Sequence, residues 1–220
     1  MREIDLLTSV HTSTKRDYLA RVNAFDKSEC AGVAKRFGYD YWDGDRRYGY
    51  GGYRYDGRWL PVAQALAATY GLKAGDRVLD VGCGKAHLLL ELTRAVPGIE
   101  VAGLDLSDYA IGAAPEEVRP LLRQGNATAL PWPDRSFDLV FSINVLHNLY
   151  NFDLRTALQE MMRVTRDHAY VCVESYRDER EKMNLLYWQL TCESFYTPQE
   201  WLWFFDQSGY TGDYGFVYHE

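Results

Sequence analysis

The run RVLDVGCGKAHLLLEL, at residues 77–92, constrains this chain more than any other stretch. Val78, Leu79 and Val81 form an apolar strand interrupted by one acid, Asp80. Gly82-Cys83-Gly84 then forces a sharp turn, and residues 85–96 continue with helical spacing. Strand, glycine turn and helix in that order bring a backbone close to a nucleotide-like ligand. Glycine permits the approach because it carries no Cβ. Asp80, at the strand tip, is placed to receive a bridging hydrogen bond or an ammonium group. His87 stands where a dinucleotide fingerprint needs a small residue for tight helix–strand packing, which argues against NAD and FAD. Gly84-Lys85-Ala86 has neither the spacing nor the hydroxyl of a phosphate-binding P-loop. A plain strand–helix turn punctuated by glycine stays open as the structural alternative.

On either side of this run the pattern is regular. Residues 14–37 carry helical spacing, with Gly38 as a C-cap and Asp26 as the N-cap of a second helix. Residues 39–59 hold eight aromatic residues and five glycines. That composition is too glycine-rich for a helix and too irregular for a strand, and it predicts an ordered loop whose rings pack on something. A helix is expected over 59–70, with Pro61 in its first turn and Gly71 ending it. Strands follow at 77–81, 99–104, 121–124, 137–142 and 169–174, with helices between them, one of them at 153–165. Beyond Glu174, residues 183–190 read as a helix. Thr197-Pro198-Gln199-Glu200 reads as the start of another, running to Gln207, and 214–218 as a terminal strand. Such alternation predicts an α/β fold: a doubly wound, Rossmann-like, mostly parallel sheet of six or seven strands. Residues 1–60 form an N-terminal helical and aromatic-loop cap, and residues 61–220 the core.

Composition excludes several classes. Lys and Arg number 24 against 31 Asp and Glu, a formal net charge of −7. No basic run offers a surface to nucleic acid or anionic membrane. Cys30, Cys83, Cys172 and Cys192 are widely spaced, with no Cys/His cluster for zinc, so no metal is expected and a reducing cytoplasm fits best. The first residues lack the apolar core of a signal peptide, and no apolar stretch approaches the ~20 residues that cross a bilayer.

Co-linear features narrow the ligand. Asp105 ends the second strand, where an acid can take both hydroxyls of a ribose in a charge-assisted pair. Gly125-Asn126-Ala127 and LPWPDRSFD at 130–138 closely resemble the G-D-A-x-x-L-P-F-P-D-x-S-F-D segment of the class I S-adenosylmethionine (SAM) methyltransferases. Asp80 followed by Gly82 and Gly84 resembles their motif I, with Ala86 in place of the third glycine. FDLVFSINVLH, at 137–147, looks like their fourth strand and its exit. The resemblance runs from about residue 78 to residue 173 and is best with the group that includes the ubiquinone-biosynthesis methyltransferases. It implies SAM bound across the strand tips and methyl transfer by in-line displacement. By that likeness the cofactor contacts are Asp80, Gly82, Cys83, Gly84, Asp105, Leu106, Asn126, Ala127 and Asn144. The family usually has Asp where Asn126 stands, receiving the adenine amine; Asn also accepts there through its carbonyl.

Transfer from an activated methyl asks mainly for positioning. A base helps when the nucleophile is a hydroxyl or a protonated amine. His147, after the fourth strand, and Glu174, at the tip of the fifth, are the candidates. In the aromatic loop, Tyr53 is a third catalytic candidate through its hydroxyl, and tyrosine faces can hold a cation. Arg54 and Arg58 are expected to pair with a carboxylate of SAM or of the substrate, or with a substrate phosphate. The expected reaction is SAM-dependent methylation of an O or N atom of a small-molecule acceptor, with no nucleic acid or membrane partner and with a homodimer permitted. A catalytically silent SAM-binding regulatory or assembly protein is the alternative. Asp105→Ala is expected to weaken SAM binding by about 1–3 kcal/mol, measured by calorimetry. An unchanged affinity removes Asp105 from the ribose site.

Overall fold

The computed structural model describes residues 1–7, 10 and 17–220. The expected helix over 14–37 therefore lies partly outside the described residues. Within them it is two helices, α1 (Tyr18–Ala24) and α2 (Lys27–Ala34), and the Asp26 carboxylate accepts from the Glu29 N–H at the start of the second. Gly38 is not the C-cap. That position falls to Lys35, the chain reverses at Phe37 with φ 48°, and Gly38 instead caps a single helical turn, α3 (Tyr39–Trp42). The aromatic segment is thus not free of helix. Its glycines begin only after Trp42, which leaves room for one turn.

α4 (Leu60–Tyr70) ends at Gly71 in the left-handed conformation, as expected. From there strands and helices alternate: β1 (Arg77–Val81), α5 (His87–Ala95), β2 (Glu100–Asp105), α6 (Asp108–Gly112), β3 (Leu122–Gln124), β4 (Phe137–Ile143), α7 (Asn151–Val164) and β5 (Thr165–Glu174). α8 (Glu179–Trp188), α9 (Pro198–Gln207) and β6 (Asp213–Val217) close the chain. β5 starts four residues before the expected 169, because Thr165 already pairs with Phe137 on β4. The charged residues before 183 form the first turn of α8, capped by the Asp178 carboxylate. The Thr197–Glu200 capping box of α9 is present as read.

Among the described residues the six strands of the sheet are parallel, in the order β3-β2-β1-β4-β5-β6. Parallel strands need crossover helices, and these cover both faces. Val62, Leu66, Leu89 and Leu92 of α4 and α5 pack on one face, against Val78, Leu139 and Phe141. Leu154, Leu158, Met161, Trp201 and Phe205 of α7 and α9 pack on the other, against Leu79, Val140 and Val171. Residues 2–7 join this core. Glu3 bridges Tyr214 at the β6 edge, and Leu6 and Leu7 are buried in the first cluster. The N-terminus therefore packs with the sheet, and the cap proper begins after it.

Strand order reverses between β1 and β4. In a doubly wound sheet that reversal opens a crevice at the carboxyl ends of the strands, where ligands bind. Among the described residues no helix is long and apolar enough to cross a membrane.

Candidate active site

The tips of β1, β2 and β5 each carry a buried acid. Asp80 and Glu174 are 5% exposed and Asp105 9%. A carboxylate so placed must be hydrogen-bonded, neutralised or paired with a cation. Asp105 accepts from the Gly84 N–H and from the Ser107 N–H, both at 2.7 Å. Burial raises its pKa while these two donors act against the rise. Burial, and then the charge of Asp105, push Asp80 well above the usual carboxylate range. Two adjacent acids over a glycine turn make a site complementary to positive charge.

Residues 39–59 lie directly on this turn. The Trp42 indole N–H donates to the Phe37 carbonyl at 3.0 Å and to the Ser107 hydroxyl at 3.1 Å. Gly84 has φ +54°, and a Cβ there would sit 2.7 Å from the Trp42 ring. Gly82 has φ +86°, and a Cβ there would sit 2.4 Å from the Val145 methyls. Both glycines thus serve the chain's own side chains as well as any ligand. Ala86, the substitute for the third glycine, also holds a left-handed φ of 55°, a conformation that costs an L-residue roughly 1–2 kcal/mol.

The cation that ties cap to turn is Lys85, which the sequence reading passed over except as a failed P-loop lysine. Its ammonium donates to both Asp43 oxygens at 2.6 and 2.7 Å and to the Tyr53 carbonyl at 2.8 Å. The Tyr109 hydroxyl donates to the same carboxylate. Arg54 lies on the exposed side of the loop, and Arg58 is engaged by its neighbour Asp56.

Tyr53 stacks on His87, with centroids 5.0 Å apart and planes at 14°, and its hydroxyl accepts from the Trp59 indole at 2.7 Å. Burial raises its pKa, which keeps it a neutral phenol. It therefore walls the glycine-turn side of the site, apart from His147 and Glu174. Tyr50 stacks on Trp42, with centroids 5.3 Å apart, and its hydroxyl meets that of Tyr41 in the field of both Glu174 and Asp105.

His147 and Glu174, read from the sequence as separate candidates, are in contact. The Glu174 N–H donates to His147 Nδ1 at 3.2 Å, and His147 Nε2 lies 3.5 Å from Glu174 Oε2. With Nδ1 accepting, the ring proton sits on Nε2, and both ring nitrogens face Glu174. A third residue, His219, which the sequence reading missed, has its Nε2 3.1 Å from Glu174 Oε1, and the Gln189 amide donates to the same oxygen. Nothing local in the sequence marks His219; it reaches Glu174 only because β6 runs parallel beside β5. The Trp201 indole donates to the Glu174 carbonyl at 3.0 Å and fixes the strand tip. Burial lowers the pKa of His147.

The remaining expected contacts divide. Asn144 leaves β4 with φ 57°, and its Oδ1 is buried with no hydrogen-bond partner. Leu106 stays 57% exposed beside Asp105, an uncovered apolar surface at the β2 tip. Asn126 is exposed, and its side-chain oxygen accepts from the Thr128 N–H, as in an ordinary turn. Ala127 packs against the second core cluster. Cys83 turns its thiol toward Gly103, where a Cβ would meet Sγ at 2.7 Å, so this side chain packs behind the turn. The residues present fit SAM: buried acids for its positive charges, an orphaned acceptor at Asn144 and an apolar shelf at Leu106.

Residues 79–173 match the family described as Methyltransferase domain. The chain is 37% identical over 126 residues to a demethylmenaquinone methyltransferase of Geobacillus kaustophilus, covering 54% of this chain and 53% of that protein. It is 32% identical over 95 residues to 27-O-demethylrifamycin SV methyltransferase of Amycolatopsis mediterranei, covering 40% and 35%. The chain thus spans about half the length, or less, of these relatives. Among solved structures, YcgJ of Bacillus subtilis superposes with a TM-score of 0.52 at 24% identity, covering 66% of this chain and 67% of that one, a likeness of fold. These matches make residues 79–173, on their parallel sheet, similar to methyltransferase domains.

Two outcomes follow for this site. Asp43→Ala leaves the buried Lys85 ammonium without its carboxylate and is expected to cost about 1–3 kcal/mol in urea unfolding. A neutral result contradicts the tie. His87 is held at about 4, chiefly by burial and next by the nearby Lys85 charge. The unfolded chain therefore takes up a proton that the folded chain refuses. Stability is full above about pH 6.5 and falls as the pH drops toward about 4. His87→Gln is expected to shallow that fall, read from urea midpoints across the range, and an unchanged slope contradicts it.

Proposed function

We propose that this protein is a SAM-dependent methyltransferase that methylates an O or N atom of a small-molecule acceptor. The observation that carries the reading is the pair of buried acids, Asp80 and Asp105, at a glycine turn at the switch point of a parallel sheet, with a third buried acid, Glu174, at the tip of β5. When bound, SAM supplies a methyl already activated on a sulfonium. Asp105 would hold the ribose hydroxyls, Asp80 and Asn144 the amino-acid portion, and Leu106 the adenine face. The relatives named for menaquinone and rifamycin precursors support a small-molecule acceptor for this chain too.

The chain's own part is positioning and exclusion of water. Trp42, Tyr50 and Tyr53 roof the turn, held down by Lys85 and Asp43. Under that roof, charges and dipoles act with little solvent screening. Because both nitrogens of His147 face Glu174, His147 orients the carboxylate, and Glu174 is the group that meets the acceptor. Incubation with methyl-labelled SAM and a panel of amines, alcohols, phenols and carboxylates tests the reading. Label is expected on at least one class. SAM binding with transfer to none of them contradicts it.

A further inference from the structure

Glu174 is the one strand-tip acid that the cofactor reading leaves unused, and its two oxygens differ. Oε1 receives the Gln189 amide and the imidazole of His219. Oε2 is fully buried with no hydrogen-bond partner. His147 Nε2 lies 3.5 Å from it, beyond a good hydrogen bond. Asn148, one residue beyond His147, also has a buried Oδ1 with no partner. Tyr41 and Tyr50 lie in the electrostatic field of Glu174 from the cap side. The tip of β5 therefore presents a buried acceptor with a free lone pair, a second acceptor on the adjoining turn and aromatic walls.

Unpaired buried acceptors call for a donor, and a carboxylate among aromatic rings calls for a cationic one. We propose that the acceptor is a primary or secondary amine, bound through its N–H groups to Glu174 Oε2 with Asn148 Oδ1 beside it; this rests on the methyltransferase reading above. The amine arrives as an ammonium and loses one proton to water. Its freed lone pair then forms the N–C bond while the carbon–sulfur bond of the methyl donor breaks and the bonding pair stays on sulfur. Positive charge passes from sulfur to nitrogen, ending as a methylammonium beside Glu174. The carboxylate thus holds the ammonium that binds and the positive charge that returns to nitrogen in the transition state and product. A hydroxyl acceptor would instead need a strong base. Burial pushes Glu174 up, but His147 and the donors His219 and Gln189 outweigh it and hold the group at about 2, far too acidic to take an alcohol proton.

Binding separates the two cases without turnover. The full chain is saturated with S-adenosylhomocysteine and titrated calorimetrically with matched pairs, benzylamine against benzyl alcohol and tyramine against 4-(2-hydroxyethyl)phenol. The amines are expected to bind about tenfold tighter than their alcohols, a difference equal to one charge-assisted hydrogen bond. Glu174→Gln is expected to erase that preference while S-adenosylhomocysteine still binds. Equal binding of amine and alcohol, or a preference that survives Glu174→Gln, overturns the proposal. Should Glu174→Gln fail to fold, Asn148→Leu serves: a reduced amine preference supports the site, and an unchanged one overturns it. If the unaltered chain does not bind S-adenosylhomocysteine, the methyltransferase reading itself falls, and this inference with it. Binding of S-adenosylhomocysteine without amine preference overturns the inference alone.

Discussion

The buried carboxylate of Asp105 is the joint on which this site depends. One oxygen holds the Gly84 N–H and fixes the glycine turn of β1. The other holds the Ser107 N–H and fixes the exit of β2. Ser107 in turn caps α6 and receives the indole of Trp42, so the cap is positioned by the same group that positions the turn. Gly84 completes the circuit, because its missing Cβ is the space the Trp42 ring occupies. A side chain at Gly84 would displace the cap, and a neutral residue at 105 would release turn, α6 and cap together. A buried carboxylate is costly unless fully satisfied, and here its satisfaction is the architecture.

The same economy of burial explains the charge layout. Asp80 and Asp105 press on each other across the β1 and β2 tips, which makes positive charge welcome there. Lys85 does not answer that charge. It is drawn away by Asp43 on the cap, so the acids stay available to a ligand. Across the switch point the His219 imidazole and the Gln189 amide engage one oxygen of Glu174, and the other is buried with no hydrogen-bond partner. Three acids on one sheet thus act differently because their donors differ. Asp105 is anchored by backbone, Asp80 is raised by its neighbour, and Glu174 is aimed by side chains.

Much of this was legible in the residues. The strand tips Asp80, Asp105 and Glu174 were readable because parallel strands end in a polar residue where the chain turns to a helix. The glycine turn and the capping box of α9 were readable because their chemistry is local. What could not be read was contact between distant segments. Lys85 looked like a residue in search of a phosphate, yet its partner Asp43 lies in the aromatic segment. Which residues of the irregular loop turn inward is set by packing, and Arg54 is exposed there. His219 meets Glu174 only through the register of β6 on β5. Asn126 carried a family role in the sequence, and a turn hydrogen bond to Thr128 engages it in the structure.

The central claim is that the acids and glycine turn at the switch point, roofed by the aromatic cap, form the methyl-donor site. Amide hydrogen exchange, with and without S-adenosylhomocysteine, tests it most directly. Added protection is expected at Gly84 and Ser107, whose N–H groups bind Asp105, and across the cap at 39–59, with the β3 and β6 edges unchanged. Protection that appears elsewhere, leaving 82–84, 105–107 and the cap as they were, would contradict the account.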